Sequence, residues 1–307
     1  MYNSAQIAFK AIDVLLYRAQ NSMKFQNVAC IRNVAYKTAG GEATSGDIYF
    51  DKTLAARGRK FPVIVYIHGG GFVMGDKGYR RSIGEFFAHN GYFVYNINHR
   101  MPPDGAFREM AQDVLDGVSY VAELAQVYNL DLDKVIVSGD SSGGYLTSFV
   151  AAVAFNADYR AALELAPPRV RIAAIAPCCG IYDLNQLLQA WMPFDIIPNA
   201  AGMLFGMKIR RDLSNIRDFP YFDYASPVDF VTDDWCPAFI LWSEQDLVCY
   251  LQADKMYENL RAHCPAVGKD HAPGLVNNHC YHLLFKNASA KQSMAALIRF
   301  LKEIGLN

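Results

Sequence analysis

The stretch that decides the fold is Lys134-Val-Ile-Val-Ser-Gly-Asp-Ser-Ser-Gly-Gly144. Its first half is a short apolar, β-branched run, which is typical of a strand covered on both faces. Its second half contains Gly139, Ser141 and Gly143 at alternate positions, and a helical pattern follows. A serine in this context sits on a sharp turn that presents its hydroxyl at the carboxyl end of the strand. The spacing therefore predicts a nucleophilic Ser141. The alternative is a strand-to-helix turn built from small residues.

Buried strands and helices alternate on both sides of this stretch. Further strands are predicted at Phe61–Ile67, Tyr92–Ile97, Ile172–Ala176 and Ala238–Trp242. Amphipathic helices are predicted at Ser82–His89, Glu109–Tyr128, Gly143–Asn156, Leu251–His263 and Ser289–Leu301. Val28–Lys37 and Gly46–Asp51 alternate apolar and polar residues like exposed antiparallel strands. The pattern predicts an α/β fold, a mostly parallel sheet with helices on both faces.

Residues 1–307 are expected to form one domain, because no repeat, low-complexity tract or flexible linker divides the chain. Two segments stand apart from the alternation, a helical N-terminal segment (residues 1–30) and an insertion (residues 184–222). Aromatic residues of the insertion are Trp191, Phe194, Phe205, Phe219, Tyr221 and Phe222. Exposed rings cost solubility unless they face something, so both segments are predicted to form a small cap. A surface excursion without a role in binding is the alternative for the insertion.

Composition excludes several classes of protein. With 29 Lys+Arg against 30 Asp+Glu, the net charge of −1 argues against nucleic acid or an anionic membrane as partner. No apolar run is long enough to span a membrane, and Lys10, Asp13 and Arg18 interrupt the block that a signal peptide needs. A soluble, cytoplasmic protein is expected. The seven cysteines form no Cys-x-x-Cys pair and are interpreted as reduced thiols. A homo-oligomer is left open.

A glycine-rich loop, His68-Gly-Gly-Gly-Phe72, directly follows the strand predicted at Phe61–Ile67. Glycines let backbone N–H groups approach a substrate oxygen without an intervening Cβ. The N–H groups of Gly70, Gly71 and Ser142 are therefore expected to form an oxyanion hole. A phosphate-binding loop is the competing interpretation, but the chain has neither Gly-Lys-Ser/Thr nor Gly-x-Gly-x-x-Gly.

A nucleophilic serine on such a turn needs an acid and then a histidine later in the chain. The late strand predicted at Ala238–Trp242 leads directly to Glu244 and Asp246, and either could supply the acid. Two histidines, His279 and His282, precede the last helix, where this arrangement requires its base. Two metal ligands three residues apart are another interpretation of this pair, but no further ligand cluster in the sequence supports it.

These motifs resemble the hormone-sensitive-lipase-like α/β-hydrolases, which include acetyl esterases and carboxylesterases. The resemblance rests on His68–Phe72 and Gly139–Gly144, with a further match at His99-Arg-Met-Pro-Pro103. It implies the α/β-hydrolase fold and an ester-cleaving activity. It also implies Asp246 as the acid and His279 as the base, because His279-Cys-Tyr aligns with the family's His-Gly-Phe. His282 is then the alternative base. The sequence departs from the family at His99, usually Tyr, and at Cys280, usually Gly.

The resulting hypothesis is a serine hydrolase that cleaves small-molecule esters of small or medium acyl chains. Ser141, His279 and Asp246 would form the catalytic triad, and neither a metal nor an organic cofactor is required. An amidase, formamidase or peptidase with the same triad is an alternative, and the elbow and glycine loop also resemble kynurenine formamidase-type hydrolases. A non-catalytic ligand-binding protein of this fold is a third hypothesis. Two candidate histidines in the required segment argue against it.

Overall fold

The structure is a computed structural model that describes residues 3–190 and 192–307. Met1, Tyr2 and Trp191, one of the rings of the insertion, lie outside the described residues. Strands are β1 (Val28–Ala35), β2 (Ser45–Asp51), β3 (Phe61–Ile67), β4 (Phe93–Ile97), β5 (Leu130–Asp140), β6 (Ile172–Cys178), β7 (Ala238–Ser243) and β8 (Val267–Ala272). Helices are α1 (Ser4–Gln20), α2 (Lys52–Ala56), α3 (Arg81–His89), α4 (Phe107–Ser119), α5 (Val121–Leu124), α6 (Ser142–Phe155), α7 (Ala157–Ala162), α8 (Leu184–Gln189), α9 (Ile196–Phe205), α10 (Gln252–His263) and α11 (Ala288–Glu303).

The strands form one mixed sheet in the order β1-β2-β4-β3-β5-β6-β7-β8. β1 pairs antiparallel with β2, and β2 pairs antiparallel with β4. From β4 to β8 every neighbouring pair is parallel. The predicted sheet, with two antiparallel strands at one edge of a parallel array, is confirmed.

Two buried apolar clusters lie on opposite faces of this sheet, because alternate residues of a strand point to opposite sides. Val63, Val65 and Ile67 of β3 pack on one face, under α4, α6 and α10. Ile64 and Tyr66 of the same strand pack on the other face, under α3 and α11. The double covering explains why β3 reads as a continuous apolar run.

The structure differs from the predicted elements most clearly at two places. β8 was not expected, because Lys269, Asp270 and His271 make it read as a polar turn. It is an edge strand, and only one of its sides has a strand partner, so polar residues are tolerated there. The single helix expected over Glu109–Tyr128 is interrupted between α4 and α5 and ends at Leu124.

The N-terminal segment and the insertion lie together. Within residues 1–30 the helix ends at Gln20, and Val28–Cys30 already belong to β1. α1 contacts α9 of the insertion, and the Ser4 hydroxyl donates to the carbonyl of Phe194 (2.8 Å). The Asn199 amide in turn donates to the Ser4 hydroxyl (2.8 Å). No helix among the described residues combines the length and the hydropathy of a membrane span.

Candidate active site

Ser141 occupies the tight turn between β5 and α6. Its backbone has φ 55° and ψ −120°, a conformation that a non-glycine residue adopts only under constraint from its surroundings. The two glycines of the motif make this turn possible. A Cβ on Gly139 would lie 2.6 Å from the carbonyl oxygen of Gly143, and one on Gly143 would collide with the carbonyl of Ile67. The turn directs the Ser141 hydroxyl to the carboxyl edge of the sheet.

Three side chains from three different loops meet at this edge. Nε2 of His279 lies 2.8 Å from Oγ of Ser141. Nδ1 of the same ring lies 2.8 Å from Oδ2 and 3.0 Å from Oδ1 of Asp246. Asp246 follows β7, and its Oδ1 also accepts hydrogen bonds from the N–H groups of Val248 and Cys249 (2.8 and 2.7 Å). The carboxylate is thus oriented before it contacts the imidazole.

The acid and the base shift each other's proton affinity. Burial would raise the pKa of Asp246, but His279 and the two backbone N–H groups outweigh burial and lower it. Burial would lower the pKa of His279, but the Asp246 carboxylate, which accepts a hydrogen bond from Nδ1, outweighs burial and raises it. The pair therefore stabilises an ionised carboxylate beside an imidazolium, the charge state that the ring takes up once it has accepted a proton.

The other candidates for acid and base lie elsewhere. Glu244 pairs with His271 of β8 (2.8 Å). His282 is fully buried, and its Nδ1 lies 3.9 Å from the sulfur of Cys179. Burial lowers the pKa of His282 to about 4, so this ring is neutral at physiological pH. Of the two histidines, the structure brings His279 to Ser141.

The glycine loop lies against the turn that carries Ser141. A Cβ on Gly69 would be 2.6 Å from the carbonyl oxygen of Asp140 and 2.9 Å from Cβ of Ser141. Gly70 and Gly71 have φ of 142° and 63°, which favour glycine. Among the described residues, no acceptor is found for the N–H groups of Gly70, Gly71 and Ser142.

Two histidines support this loop from below. Nδ1 of His68 donates to the carbonyl of Gly69 (2.9 Å), and the His68 ring stacks on that of His99 with centroids 4.7 Å apart. Burial lowers the pKa of His68 and brings that of His99 to about 3, so both rings are neutral. The guanidinium of Arg100, in the loop after β4, donates two hydrogen bonds to the buried Asp113 (2.7 and 2.9 Å). These residues have structural roles.

A buried ion network, which sequence reasoning missed, lies beneath Ser141. Arg80 donates from Nε and Nη2 to the two carboxylate oxygens of Asp140 (2.8 Å each), and the Tyr66 hydroxyl donates to one of them (3.0 Å). Nη1 of Arg80 lies 3.9 Å from Asp13 of α1. Burial raises the pKa of Asp13 to about 6. The sequence contains one signal for this network, which is the acidic Asp13 in the middle of the apolar helical pattern of α1.

An apolar pocket of about 40 Å³ opens beside Ser141. Its walls come from the glycine loop, α1, α8, α9 and the loop after Asp246. The lining residues are Phe9, Gly71, Phe72, Ser141, Ile181, Leu184, Leu187, Leu188, Met192, Ile196, Ile197, Ala200, Ala201, Leu204, Phe205 and Val248. Within the part of the chain that the structure describes, Ser141 supplies the single polar side chain of this lining.

Several rings of the insertion pack against one another. Phe205 and Phe219 stack on each other with centroids 4.3 Å apart, and Phe222 packs against Phe205. Phe194 is 82% exposed. Mostly aliphatic side chains line the pocket, and the aromatic residues mainly hold the insertion together.

Comparison with solved structures identifies the fold. Esterase B from Lactobacillus rhamnosis superimposes with a TM-score of 0.82 at 20% identity, over 97% of this chain and 93% of that one. A hyperthermophilic esterase from the archaeon Pyrobaculum calidifontis gives a TM-score of 0.71 at 19% identity, over 98% and 91% of the two chains. The predicted α/β-hydrolase fold is confirmed.

Sequence comparison identifies the family. A probable carboxylic ester hydrolase, LipM of Mycobacterium tuberculosis, is 28% identical over 268 residues, which are 86% of this chain and 59% of that protein. The chain thus spans less than two thirds of the length of this relative. The BD-FAE family model matches residues 47–260, which include the glycine loop, Ser141 and Asp246. The predicted resemblance to α/β-hydrolase esterases is confirmed, and the chain belongs to the BD-FAE family.

Proposed function

We propose that this protein is a serine hydrolase that cleaves carboxylic esters of small or medium acyl chains through an acyl-enzyme. The observation that carries the proposal is the continuous hydrogen-bonded chain from Asp246 through His279 to Ser141, with distances of 2.8 Å at each link. Such a chain converts a weakly nucleophilic hydroxyl into a reactive one. The names of the similar proteins, a carboxylic ester hydrolase and several esterases, favour the ester as the bond cleaved.

In the first half-reaction, Oγ of Ser141 attacks the ester carbonyl while Nε2 of His279 accepts the hydroxyl proton. The carbonyl oxygen becomes negative and is stabilised by the N–H groups of Gly70, Gly71 and Ser142. The imidazolium, stabilised by Asp246, then protonates the departing alcohol, and the acyl group stays on Ser141. Each oxyanion donor in such a site contributes about 3 kcal/mol to transition-state stabilisation.

In the second half-reaction, water takes the place of the alcohol. His279 accepts a proton from this water as it attacks the acyl carbonyl, and the same N–H groups stabilise the second oxyanion. The imidazolium returns its proton to Oγ of Ser141, and the carboxylic acid leaves. The cycle needs no group beyond the side chains and N–H groups already described.

The pocket beside Ser141 supports the proposed range of acyl chains. It is apolar, and α1, α8 and α9 form most of its wall. Each methylene that enters an apolar pocket gains about 0.8 kcal/mol until the space is filled. We therefore propose that α1 and residues 184–222 act as a cap, and that turnover falls for acyl chains beyond roughly eight carbons.

The test combines active-site labelling with a substrate panel. The purified chain is treated with a fluorophosphonate, and the modified residue is identified by mass spectrometry. In parallel, kcat and KM are measured for p-nitrophenyl esters of increasing acyl length, aryl amides and N-formylkynurenine. Labelling at Ser141 together with fast hydrolysis of short esters is the expected result.

Three outcomes would change the proposal. Amide or formamide cleavage faster than ester cleavage would move the activity to the amidase or formamidase class. Faster hydrolysis of long-chain triglyceride emulsions than of acetate or butyrate esters would contradict the acyl range. Absence of both labelling and turnover would favour the non-catalytic binding protein.

A further inference from the structure

A thiol that the proposed mechanism does not use lies beside the acid and the base. Asp246, Cys249 and His279 each offer one possible ligand atom, and these three atoms lie within 4.8 Å of one another. The Cys249 side chain is buried, and His279 is 18% exposed, which leaves the imidazole accessible from solvent. Cys249 forms no disulfide.

We propose that Asp246, Cys249 and His279 form an inhibitory site for a divalent transition metal of the Zn²⁺ class. Occupation of this site would switch off the hydrolysis, so the inference rests on the proposed function. The proposal concerns the regulation of the triad and assigns no metal to the catalytic cycle.

The set of donor atoms selects the class of metal. A thiolate, an imidazole nitrogen and a carboxylate oxygen are the common ligands of Zn²⁺ in proteins. Three protein ligands with a fourth open position are a frequent arrangement for this ion. Tetrahedral geometry at metal–ligand distances of about 2.0–2.3 Å places ligand atoms roughly 3.6 Å apart. The most distant pair of ligand atoms therefore needs to approach by at most about 1 Å. Mg²⁺ and Ca²⁺, by contrast, prefer all-oxygen sites.

The charges of the ligands favour binding of a divalent metal at this buried position. A cysteine binds a metal of this class as its thiolate, so the thiol has a proton to lose on binding. Metal binding replaces this proton, which leaves to solvent. The ion's two positive charges are then balanced by the Cys249 thiolate and the Asp246 carboxylate, with His279 bound as a neutral imidazole. A neutral complex avoids the cost of an isolated buried charge.

Inhibition follows from the single lone pair of a neutral imidazole. One ring nitrogen carries the proton, and the other carries the lone pair that would accept the proton of Ser141. A metal bound at Nε2 uses this lone pair directly. A metal bound at Nδ1 leaves the proton on Nε2 and also removes the hydrogen bond to Asp246. In either position His279 cannot act as the base.

The experiment compares two cysteines that flank the same histidine. Cys280 follows His279 in the chain, but its sulfur lies 4.0 Å from the carboxylate of Asp140. Cys249→Ser and Cys280→Ser are therefore matched variants, made in a Cys30→Ser background that removes the exposed thiol. The inhibition constant for Zn²⁺ is measured against each variant's own metal-free rate on p-nitrophenyl acetate, with Mg²⁺ as the control ion.

We expect Zn²⁺ to inhibit the parent and Cys280→Ser equally, with full recovery in EDTA. In Cys249→Ser the inhibition constant should rise by at least about tenfold, as loss of a ligand weakens metal affinity. The inhibition constant of the parent should fall by about tenfold per pH unit for each proton released. In Ser141→Ala, Co²⁺ should give a thiolate-to-cobalt charge-transfer band that Cys249→Ser abolishes.

Equal sensitivity of Cys249→Ser and the parent, or no inhibition by Zn²⁺ in a metal-free active enzyme, would overturn the metal site and leave the hydrolase intact. Failure of the proposed function has a different signature. The metal-free chain would then hydrolyse no ester, while the cobalt band, which does not depend on turnover, could still be measured.

Discussion

The floor and the roof of the candidate site are built in opposite ways. The floor comprises the loops at the carboxyl ends of β3, β5 and β7 together with His279, and it places polar atoms within 3.0 Å of one another. The roof comprises α1, α8 and α9, and it presents apolar side chains to the pocket. The hydrogen-bonded groups and the apolar wall of the pocket thus come from different parts of the chain.

The difference reflects what each part requires. Hydrogen bonds lose most of their strength when donor and acceptor are misplaced, so the floor rests on strands that are fixed by their neighbours. Apolar contact is non-directional and depends on the area removed from water, so short helices outside the sheet can supply the roof. Substitutions in the floor should therefore change rate or stability strongly, and substitutions in the roof should change selectivity.

The largest expected effect is at Ser141. Ser141→Ala removes the nucleophile from the floor without removing much packing, so kcat for a short ester should fall on the order of 10⁵-fold. The measurement is kcat on p-nitrophenyl acetate, with circular dichroism and thermal melting to confirm the fold. Retention of most of the activity would show that another residue is the nucleophile.

The next effect separates the two histidines. His279→Ala should lower kcat on the order of 10⁴-fold with little change in KM, because the proton transfer occurs only in the transition state. His282→Ala should lower Tm through the cavity it leaves in the interior, with less than about a tenfold change in kcat. Steady-state kinetics and melting curves of both variants test this. An inactive His282→Ala variant together with an active His279→Ala variant would make His282 the general base.

The ion network beneath the floor should matter for stability. Arg80→Met leaves the Asp140 carboxylate buried without its partner, which costs about 3–5 kcal/mol of unfolding free energy. Arg169→Met is the matched control, because the Arg169–Glu123 pair lies at the surface and contributes less than about 1 kcal/mol. Urea unfolding of the two variants gives the comparison. Equal losses of unfolding free energy in the two variants would show that the buried network stabilises the fold no more than a surface ion pair does.

Asp13 joins the roof to this network and should make stability depend on pH. Its pKa in the folded chain, about 6, lies above the ordinary value of 3.8, so the folded state binds this proton more tightly than the unfolded one. The resulting contribution to the unfolding free energy is full below pH 3.8 and is lost as pH rises through about 6.

Asp13→Asn should remove this dependence. Relative to the parent, the variant should gain up to about 3 kcal/mol of unfolding free energy at pH 8, where the parent bears the full cost of its buried carboxylate, and nothing at low pH. Urea unfolding of both proteins from pH 4 to pH 8 is the measurement. Parallel curves for the two proteins would show that Asp13 has an ordinary pKa.

The smallest effect is expected in the roof. Leu187→Ala enlarges the apolar pocket, so kcat/KM for an octanoate ester should rise about five- to tenfold relative to that for an acetate ester. Val127→Ala, at a highly exposed position away from the pocket, is the control. A fall in absolute rate on acetate as large as that of a floor variant would contradict the separation of floor and roof.

Much of the floor could be predicted from the sequence because its constraints are local. Gly139 and Gly143 are required by the turn itself, and the order of Ser141, Asp246 and His279 follows the order of the strands. The edge strand β8 could not be predicted in the same way, because its polar residues are tolerated only where one side of the strand lacks a partner. Asp13 and Arg80 are 67 positions apart in the sequence, and no local pattern predicts their contact.

The sequence by itself determined the parallel sheet, the turn that carries Ser141, the glycine loop and a short list of acids and bases. Only the tertiary structure decided that His279 rather than His282 contacts Ser141, that mostly aliphatic side chains line the pocket, and that Cys249 lies beside the imidazole. The physical reason is the range of the interactions. Strand burial and glycine turns are imposed within a few residues, whereas the direction of a loop side chain depends on contacts from every element packed around it.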